Sequence, residues 1–327
     1  HLALVAAAEL TFLVRDPVYA DKERRLARVE RAAGPGAPVV VLLGTSRAGY
    51  GFAAGRVPDQ TGGRVEAFNF GIPATGPVTH LVYLRRLLAA GHRPDLLLVE
   101  VLPPALAELD DGTLEGRFAD GNRQRAGEVE AVTGYGFPAA KMARQRAQSL
   151  AAPWHSFRFH LLGRVSPTWL PFHVRFDWGR GPDPRGWNAA VVDAVTPERE
   201  RAGFAQATRE YSAILNAYRP GGHAVRALRD LLALARGHGI PTRLVLMPES
   251  VAFRGLYPPL ARERLDAVLA DVSREAGVPV DDARDWVPDG GFLDGHHLTR
   301  TGAATFTDRL TRDVILPNLP PKAGGTP

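Results

Sequence analysis

The 327-residue chain contains no cysteine, which excludes disulfide frameworks, thiolate zinc sites and thiol nucleophiles together. Lysine is almost absent: Lys22, Lys141 and Lys322 are the only lysines among 40 basic residues, so arginine carries the net charge of +5. The arginines are scattered, with no Lys/Arg run and no nucleic-acid motif, which argues against a nucleic-acid partner. There is no Gly-x-Gly-x-x-Gly, no P-loop lysine after Gly44-Thr45-Ser46 and no His-Glu-x-x-His, so nucleotide binding and helix-borne zinc chemistry find no support. No apolar run reaches the ~20 residues that span a bilayer. The rest of the composition, 45% hydrophobic and 23% charged, is that of an ordinary globular protein with a sizeable core.

Residues 1–32 read as helix, interrupted at Pro17. The chain begins at His1, as a cut or processed chain would, and Leu2–Val14 is largely apolar. That stretch is expected either as the tail end of a membrane anchor or as an amphipathic helix packed on the domain. Beyond Gly34-Pro35-Gly36, strand and helix alternate. Strands are expected at Pro38–Leu43, Arg64–Phe68, Asp95–Leu102, Pro241–Met247 and Val278–Asp281. Helices are expected at Pro77–Ala90, His223–His238, Pro259–Ala276 and Thr301–Val314. Such alternation predicts a parallel sheet covered on both faces. Residues 33–109 and 201–316 form this α/β domain, and 317–327 a loose tail.

Residues 110–200 break the pattern. They carry no strand signal, one helical stretch at Ala139–Ala152, and Trp154, Trp169, Trp178 and Trp187. A segment this long is expected to form an insertion or lid subdomain, mainly helical, over the carboxyl ends of the strands. Its tryptophans suit the subdomain's own core better than a sugar-stacking platform.

In a parallel α/β sheet, ligands sit at the carboxyl ends of the strands, so the residues just beyond each strand are the ones to read for chemistry. Ser46 follows the first strand at the start of a helix, where negative charge is stabilised; a plain helix cap is the alternative. A serine hydroxyl needs a base, and imidazole with a carboxylate behind it suits that task near neutral pH. Asp294-Gly295-His296-His297-Leu298-Thr299 offers both, just before a helix. A metal pair at His296-His297 is less favoured, because adjacent histidines point apart more often than they chelate. Asn69-Phe70-Gly71 follows the second strand, and a glycine there lets a backbone N–H approach a developing oxyanion.

Together these three motifs resemble the SGNH (GDSL-type) hydrolase superfamily. VVVLLGTSRAGYGF is similar to its first block, with Ser46 as nucleophile; NFGIP to the second, with Gly71 joining the Ser46 amide in the oxyanion hole; DGHHLTRTGA to the last, with Asp294 and His297 completing the triad. The resemblance covers about 32–102 and 222–315. It implies a three-layer α/β/α, flavodoxin-like fold with a parallel sheet of about five strands, and a serine esterase or O-acyltransferase that forms an acyl-enzyme on Ser46 and needs no cofactor or metal. The Gly-Thr-Ser variant, the apolar N-terminal stretch and the long insertion resemble the membrane-anchored bacterial branch that acetylates polysaccharides. That branch implies an acyl ester donor, a polysaccharide acceptor, membrane association through the N-terminus and an extracytoplasmic location. A carbohydrate- or envelope-binding protein on a decayed hydrolase scaffold is the alternative.

Two positions depart from the family pattern. Thr45 replaces the usual Asp, and the third strand ends Glu100-Val101-Leu102-Pro103-Pro104 without the usual Gly-x-Asn, whose Asn supplies an oxyanion donor. A third donor is therefore missing or comes from the insertion. Arg47, Asn69, Glu249 and Arg254 are candidate substrate-binding residues. Arg47 has alternatives, a solvated helix position or pairing with Glu100, which must be partnered if buried.

Overall fold

The computed structural model describes all residues except 35, 172–181, 190–192, 194 and 320–327, so Trp178 and most of the expected C-terminal tail lie outside the described residues. Three N-terminal helices come first: α1 (Leu2–Leu10), α2 (Phe12–Arg15) and α3 (Pro17–Ala32). Pro17 occupies the first turn of α3, where its missing N–H costs nothing, and Asp16 caps that turn by accepting the Tyr19 amide.

Five strands follow in sequence: β1 (Val39–Gly44), β2 (Glu66–Gly71), β3 (Leu96–Val101), β4 (Thr242–Leu246) and β5 (Val280–Asp282). They form one wholly parallel sheet in the order β2-β1-β3-β4-β5. This is the flavodoxin-like order, and a three-layer α/β/α architecture follows from it. β1 and β3 are buried along their whole length, as the Val/Leu runs Val39–Leu43 and Leu96–Val99 demand, and Glu100 near the end of β3 is buried with them.

Side chains alternate between two apolar layers. Val41, Leu43, Phe70 and Val99 face the layer containing α3, α6 (Pro77–Ala89), α13 (Gly222–Gly237) and α15 (Pro259–Ala276). Val40, Leu42, Leu98 and Val245 face the layer built on α4 (Ser46–Gly51), α5 (Arg56–Thr61) and α16 (Arg300–Leu310). The expected closing helix ends at Leu310 and continues as a π-turn through Thr311–Ile315.

The second strand runs three residues further than the sequence suggests. Asn69 and Gly71 are turn-like residue types, yet with Phe70 between them they pair in register with Leu42, Leu43 and Gly44. Parallel pairing along a fully buried neighbour outweighs their local preference.

The insertion carries α7 (Leu114–Phe118), α8 (Ala126–Gly134), α9 (Ala139–Ala151), α10 (Pro153–Ser156) and α11 (Arg158–Val165). It does not stand apart as a subdomain: Val132, Phe137 and Met142 belong to the main apolar core. Much of it packs on the N-terminal helices, and Arg185 runs along the outer edge of β2, where its carbonyl accepts the Asn69 amide at 2.9 Å. Lys22 holds this crossing from α3. Buried, it donates to the carbonyls of Asn69 and Gly186 at 2.9 and 2.6 Å, and burial pulls its pKa down to about 7. The helix that crowns the strand ends is α12 (Pro197–Asn216), which is not among the helices expected from the sequence.

Candidate active site

The carboxyl end of β1 turns at Thr45 into α4, and this turn presents Ser46. The loop before α16 brings Asp294 and His297 to it. His297 Nε2 lies 2.8 Å from Ser46 Oγ, and His297 Nδ1 lies 2.7 Å from Asp294 Oδ2. The Asp294 Oδ1 atom accepts the His297 amide at 2.8 Å and the His296 amide at 3.2 Å, which fixes the loop on its own carboxylate. Burial works against charge on Asp294, but the adjoining His297 imidazole and its hydrogen bond hold the carboxyl well below the usual range. An ionised Asp294 keeps the Nδ1 proton in place and leaves Nε2 to accept from the serine hydroxyl.

His296 does not take this position. It is buried, with its ring stacked on Phe253 at 4.9 Å and edge-on to Tyr211. Burial first, and then the neighbouring His297, push its pKa well down, so it stays neutral. One ligand atom each from Asp294, His296 and His297 lies within 4.8 Å of the others, close enough to gather about an ion. Both His297 nitrogens are engaged by Asp294 and Ser46, which favours the triad over a metal.

These residues open into a cavity of about 320 Å³. Its walls include Ala74, Thr75 and Leu102 from the strand ends, Leu114 and Phe118 from α7, and Ala207 and Tyr211 from α12. The insertion thus reaches the site through α7, while α12, which straddles the expected boundary at 200, supplies the larger share from residues beyond it. Trp154 and Trp169 are exposed and lie neither on this cavity nor in a core. Trp187 is half-buried and donates to the Tyr50 carbonyl at 2.7 Å.

Gly71 is not an oxyanion donor. Its N–H is spent on Asn69 Oδ1 at 2.8 Å, and it does not border the cavity. It is glycine because a Cβ there would overlap the Gly49 amide of the nucleophile's helix. Asn69 is buried and its amide donates to the carbonyls of Ala48 and Phe52, both at 2.7 Å, so it ties the end of α4 to β2 instead of meeting substrate.

The residue that sequence reasoning missed is Ala74. Its φ of +58° makes it the sole non-glycine in the left-handed region among the described residues. Such a conformation costs an alanine about 1–2 kcal/mol and persists where the surroundings impose it, often at functional sites. Ala74 and Ser46 both border the cavity, and neither amide has a hydrogen-bond partner among the described residues. An alanine carries no sequence signal for this backbone state. Beside it, Thr75 Oγ1 lies 3.1 Å from the buried His80 Nε2 and donates to the Ile72 carbonyl. Burial drops the His80 pKa to about 4.

Two of the remaining candidates, Arg47 and Glu249, support the nucleophile turn from behind. Arg47 is buried at the cavity wall, donating to Glu249 Oε1 at 3.1 Å and to the carbonyls of Met247 and Pro248 at 2.8 and 3.0 Å. Burial alone would lower its pKa, but Glu249 and Glu100 outweigh this and raise it. Glu249 is buried away from the cavity, bonded to Arg47 and to the Tyr257 hydroxyl, so it is a partner of Arg47 and not a substrate contact. Arg254 turns to the carbonyls of Glu249 and Arg284 and borders a different depression. Glu100, at the end of β3, accepts the amides of Thr45 and Ala48 and the Thr45 hydroxyl.

No protein-family model and no curated protein sequence matches the chain. Solved structures do. A carbohydrate acetylesterase family member from Sinorhizobium meliloti matches at 11% identity over 86% of this chain and 99% of its own, with a TM-score of 0.40. A catalytic mutant of an acetylxylan esterase from Geobacillus stearothermophilus matches at 9% identity over 88% and 98%, with a TM-score of 0.39. AlinE4, an SGNH-hydrolase family esterase, matches at 13% identity over 87% and 98%, with a TM-score of 0.35. What this chain can do is read from its own site.

Proposed function

We propose that the protein is a serine-dependent acyl-ester enzyme, an esterase or O-acyltransferase, working through an acyl-enzyme on Ser46. The observation that carries this reading is the continuous line Asp294–His297–Ser46 at the mouth of the cavity, with both links between 2.7 and 2.8 Å. Hydrogen-bond reach between nucleophile, base and orienting carboxylate is the geometric signature of nucleophilic catalysis.

In the first half-reaction Ser46 Oγ attacks the ester carbonyl carbon and His297 Nε2 takes the serine proton. The Ser46 and Ala74 amides are the donors available to the oxyanion. Collapse of the tetrahedral intermediate breaks the ester C–O bond, and His297 returns the proton to the leaving alcohol oxygen. In the second half-reaction a water or an acceptor hydroxyl gives its proton to His297 and its oxygen to the acyl carbon, and Ser46 leaves with the proton restored. Asp294 stays ionised and stabilises the imidazolium in both halves.

The cavity suits a short acyl group. Leu102, Leu114 and Ala207 supply apolar wall, and a pocket of about 320 Å³ is at the small end of ligand sites. We take acetyl as the acyl group and a carbohydrate hydroxyl as the acceptor that competes with water, in an extracytoplasmic setting. The support is the small pocket together with α7 and α12 above it, which can exclude water and seat an acceptor. A fluorophosphonate probe tests the reading: it labels the wild-type protein and not Ser46→Ala. Labelling that survives Ser46→Ala, or none at all, overturns it. Supplying an acetyl donor with and without oligosaccharides then separates transfer from hydrolysis.

A further inference from the structure

The insertion contributes a buried acid that takes no part in the triad. Glu115, on α7, is 3% exposed and borders the same cavity as Ser46 and Ala74. Its Oε1 accepts the Val78 amide at 2.7 Å, and its Oε2 accepts the Thr79 amide at 3.0 Å and the Thr79 hydroxyl at 2.6 Å. Burial pushes its pKa up, and these donors pull against the rise. The two amides belong to the first turn of α6, where no residue of the helix itself can accept them. A side chain at the N-cap usually does so, but the N-cap is Gly76, which has none. Glu115 takes over that task from a distant part of the chain. Gly76 has an extended backbone that suits any residue, yet a Cβ there would lie 2.9 Å from the Glu115 carboxyl, and the three atoms nearest it all belong to Glu115. α7 is itself seated by Thr113, whose hydroxyl accepts the Gly116 amide at 3.1 Å.

The segment between β2 and α6 is thus held at two ends. At one end the Ile72 amide donates to the Gly44 carbonyl at 2.9 Å, next to the turn that presents Ser46. At the other end Glu115 fixes the start of α6. Ala74 lies between them at a φ of +58°, and its amide has no partner among the described residues. Nothing at Ala74 itself offsets the cost of that conformation, about 1–2 kcal/mol for an alanine. The anchors on either side must impose it. Freed from one of them, the alanine relaxes toward negative φ, and the peptide plane that carries its N–H turns with it.

We propose that Glu115 is a positioning residue for the acyl chemistry: by capping α6 from the insertion, it holds the turn 73–76 in the form that leaves the Ala74 amide free at the cavity for the oxyanion. The proposal rests on the acyl-enzyme reading of Ser46. It gives the insertion a part in stabilising the transition state without any contact between Glu115 and substrate.

Steady-state kinetics on a soluble activated ester, normalised to the sites that a fluorophosphonate titrates, test it. Glu115→Gln puts a donor where an acceptor is needed. It is expected to lower kcat about tenfold or more with KM little changed, because the oxyanion forms only in the transition state. Adding Ala74→Gly is expected to recover several-fold in kcat while the Tm stays close to that of Glu115→Gln, because glycine adopts positive φ without the clamp. A residue that merely stabilised the fold would not separate kcat from Tm in this way. Thr79→Val removes one of the three donors to Glu115 and serves where Glu115→Gln does not fold; it is expected to lower kcat several-fold at unchanged KM, with the same recovery. Wild-type kcat in these variants, a loss confined to KM or to the titratable fraction, or no recovery with Ala74→Gly overturns the proposal alone. A wild-type protein that is not labelled at Ser46 overturns the acyl-enzyme reading and the proposal with it.

Discussion

The Thr45 amide donates to Glu100 Oε2 at 2.6 Å, and the Thr45 hydroxyl donates to Glu100 Oε1 at 3.0 Å. The two departures from the SGNH pattern are therefore one arrangement. A carboxylate at the end of β3 grips the turn that presents Ser46, and a hydroxyl donor at residue 45 satisfies it. An aspartate at residue 45 would set a second carboxylate against Glu100 in a buried site, where like charges are costly. Gly44 completes the fit, because a Cβ there would overlap Glu100. Arg47, with its Nε 3.9 Å from Glu100, lies beside the same carboxylate.

Thr45→Ser is accordingly expected to keep most activity, and Thr45→Asp to lose at least tenfold in kcat and lower the Tm. Adding Glu100→Gln to Thr45→Asp is expected to recover part of both losses. A double-mutant cycle on thermal stability checks this, with a coupling of about 1–3 kcal/mol as the expected size for contacting residues. Glu100→Ala is expected to cost more, about 3–5 kcal/mol, because it strips a partner from a buried ionic cluster.

Gly71 and Ala74 are expected to respond in the opposite order to their residue types. Gly71→Ala forces a methyl into the Gly49 backbone and displaces the nucleophile helix, so stability and activity both fall. Ala74→Gly places the residue that prefers positive φ at +58°, and is expected to change stability by less than about 1 kcal/mol and to keep activity. Denaturant melts and steady-state rates on the two variants decide the matter; a neutral Gly71→Ala would contradict the packing described.

Stability should fall in mild acid. His80 takes up its proton near pH 4 when folded and near 6.5 when unfolded, so between these values the unfolded chain binds more protons. The stability contributed by a neutral His80 is full above about pH 6.5, is lost as pH falls toward about 4, and then levels; its size is on the order of 3 kcal/mol. His296, also held neutral by burial, acts in the same direction. Urea midpoints across this range in wild type and His80→Gln test it, the variant being expected to show a shallower acid slope.

Much of the site was legible because the chemistry lies where chain order announces it. A buried Val/Leu strand ending in Gly-Thr-Ser, and Asp-Gly-His-His before a capped helix, mark Ser46, Asp294 and the two histidines as candidates, and the resemblance to the SGNH blocks singles out His297. What was not legible depends on backbone geometry and on burial. The left-handed state of Ala74 is imposed by its surroundings. The strand state of Asn69-Phe70-Gly71 comes from pairing with β1. Arg47 and Glu249 look like free polar residues near a strand end, and only the fold shows that each is consumed by the other. The helix Pro197–Asn216 did leave a signal, Thr196-Pro197-Glu198 followed by Ala207, Tyr211, Ile214 and Leu215 at helical spacing.

Ser46→Ala and His297→Ala are each expected to remove most of the activity, and the double variant to be little worse than either, because residues that act as a unit are strongly non-additive. His296→Ala is expected to do much less. Rates on a soluble activated ester check the series, and additive losses would show that Ser46 and His297 do not share a step.

The most direct measurement is peptide mass spectrometry of the protein quenched during turnover of an activated acetyl ester. An acetyl group on the peptide containing Ser46, absent from Ser46→Ala and accumulating when deacylation is slowed, is the predicted result. Turnover without any acetyl on Ser46, or with the acetyl on another residue, would contradict the account.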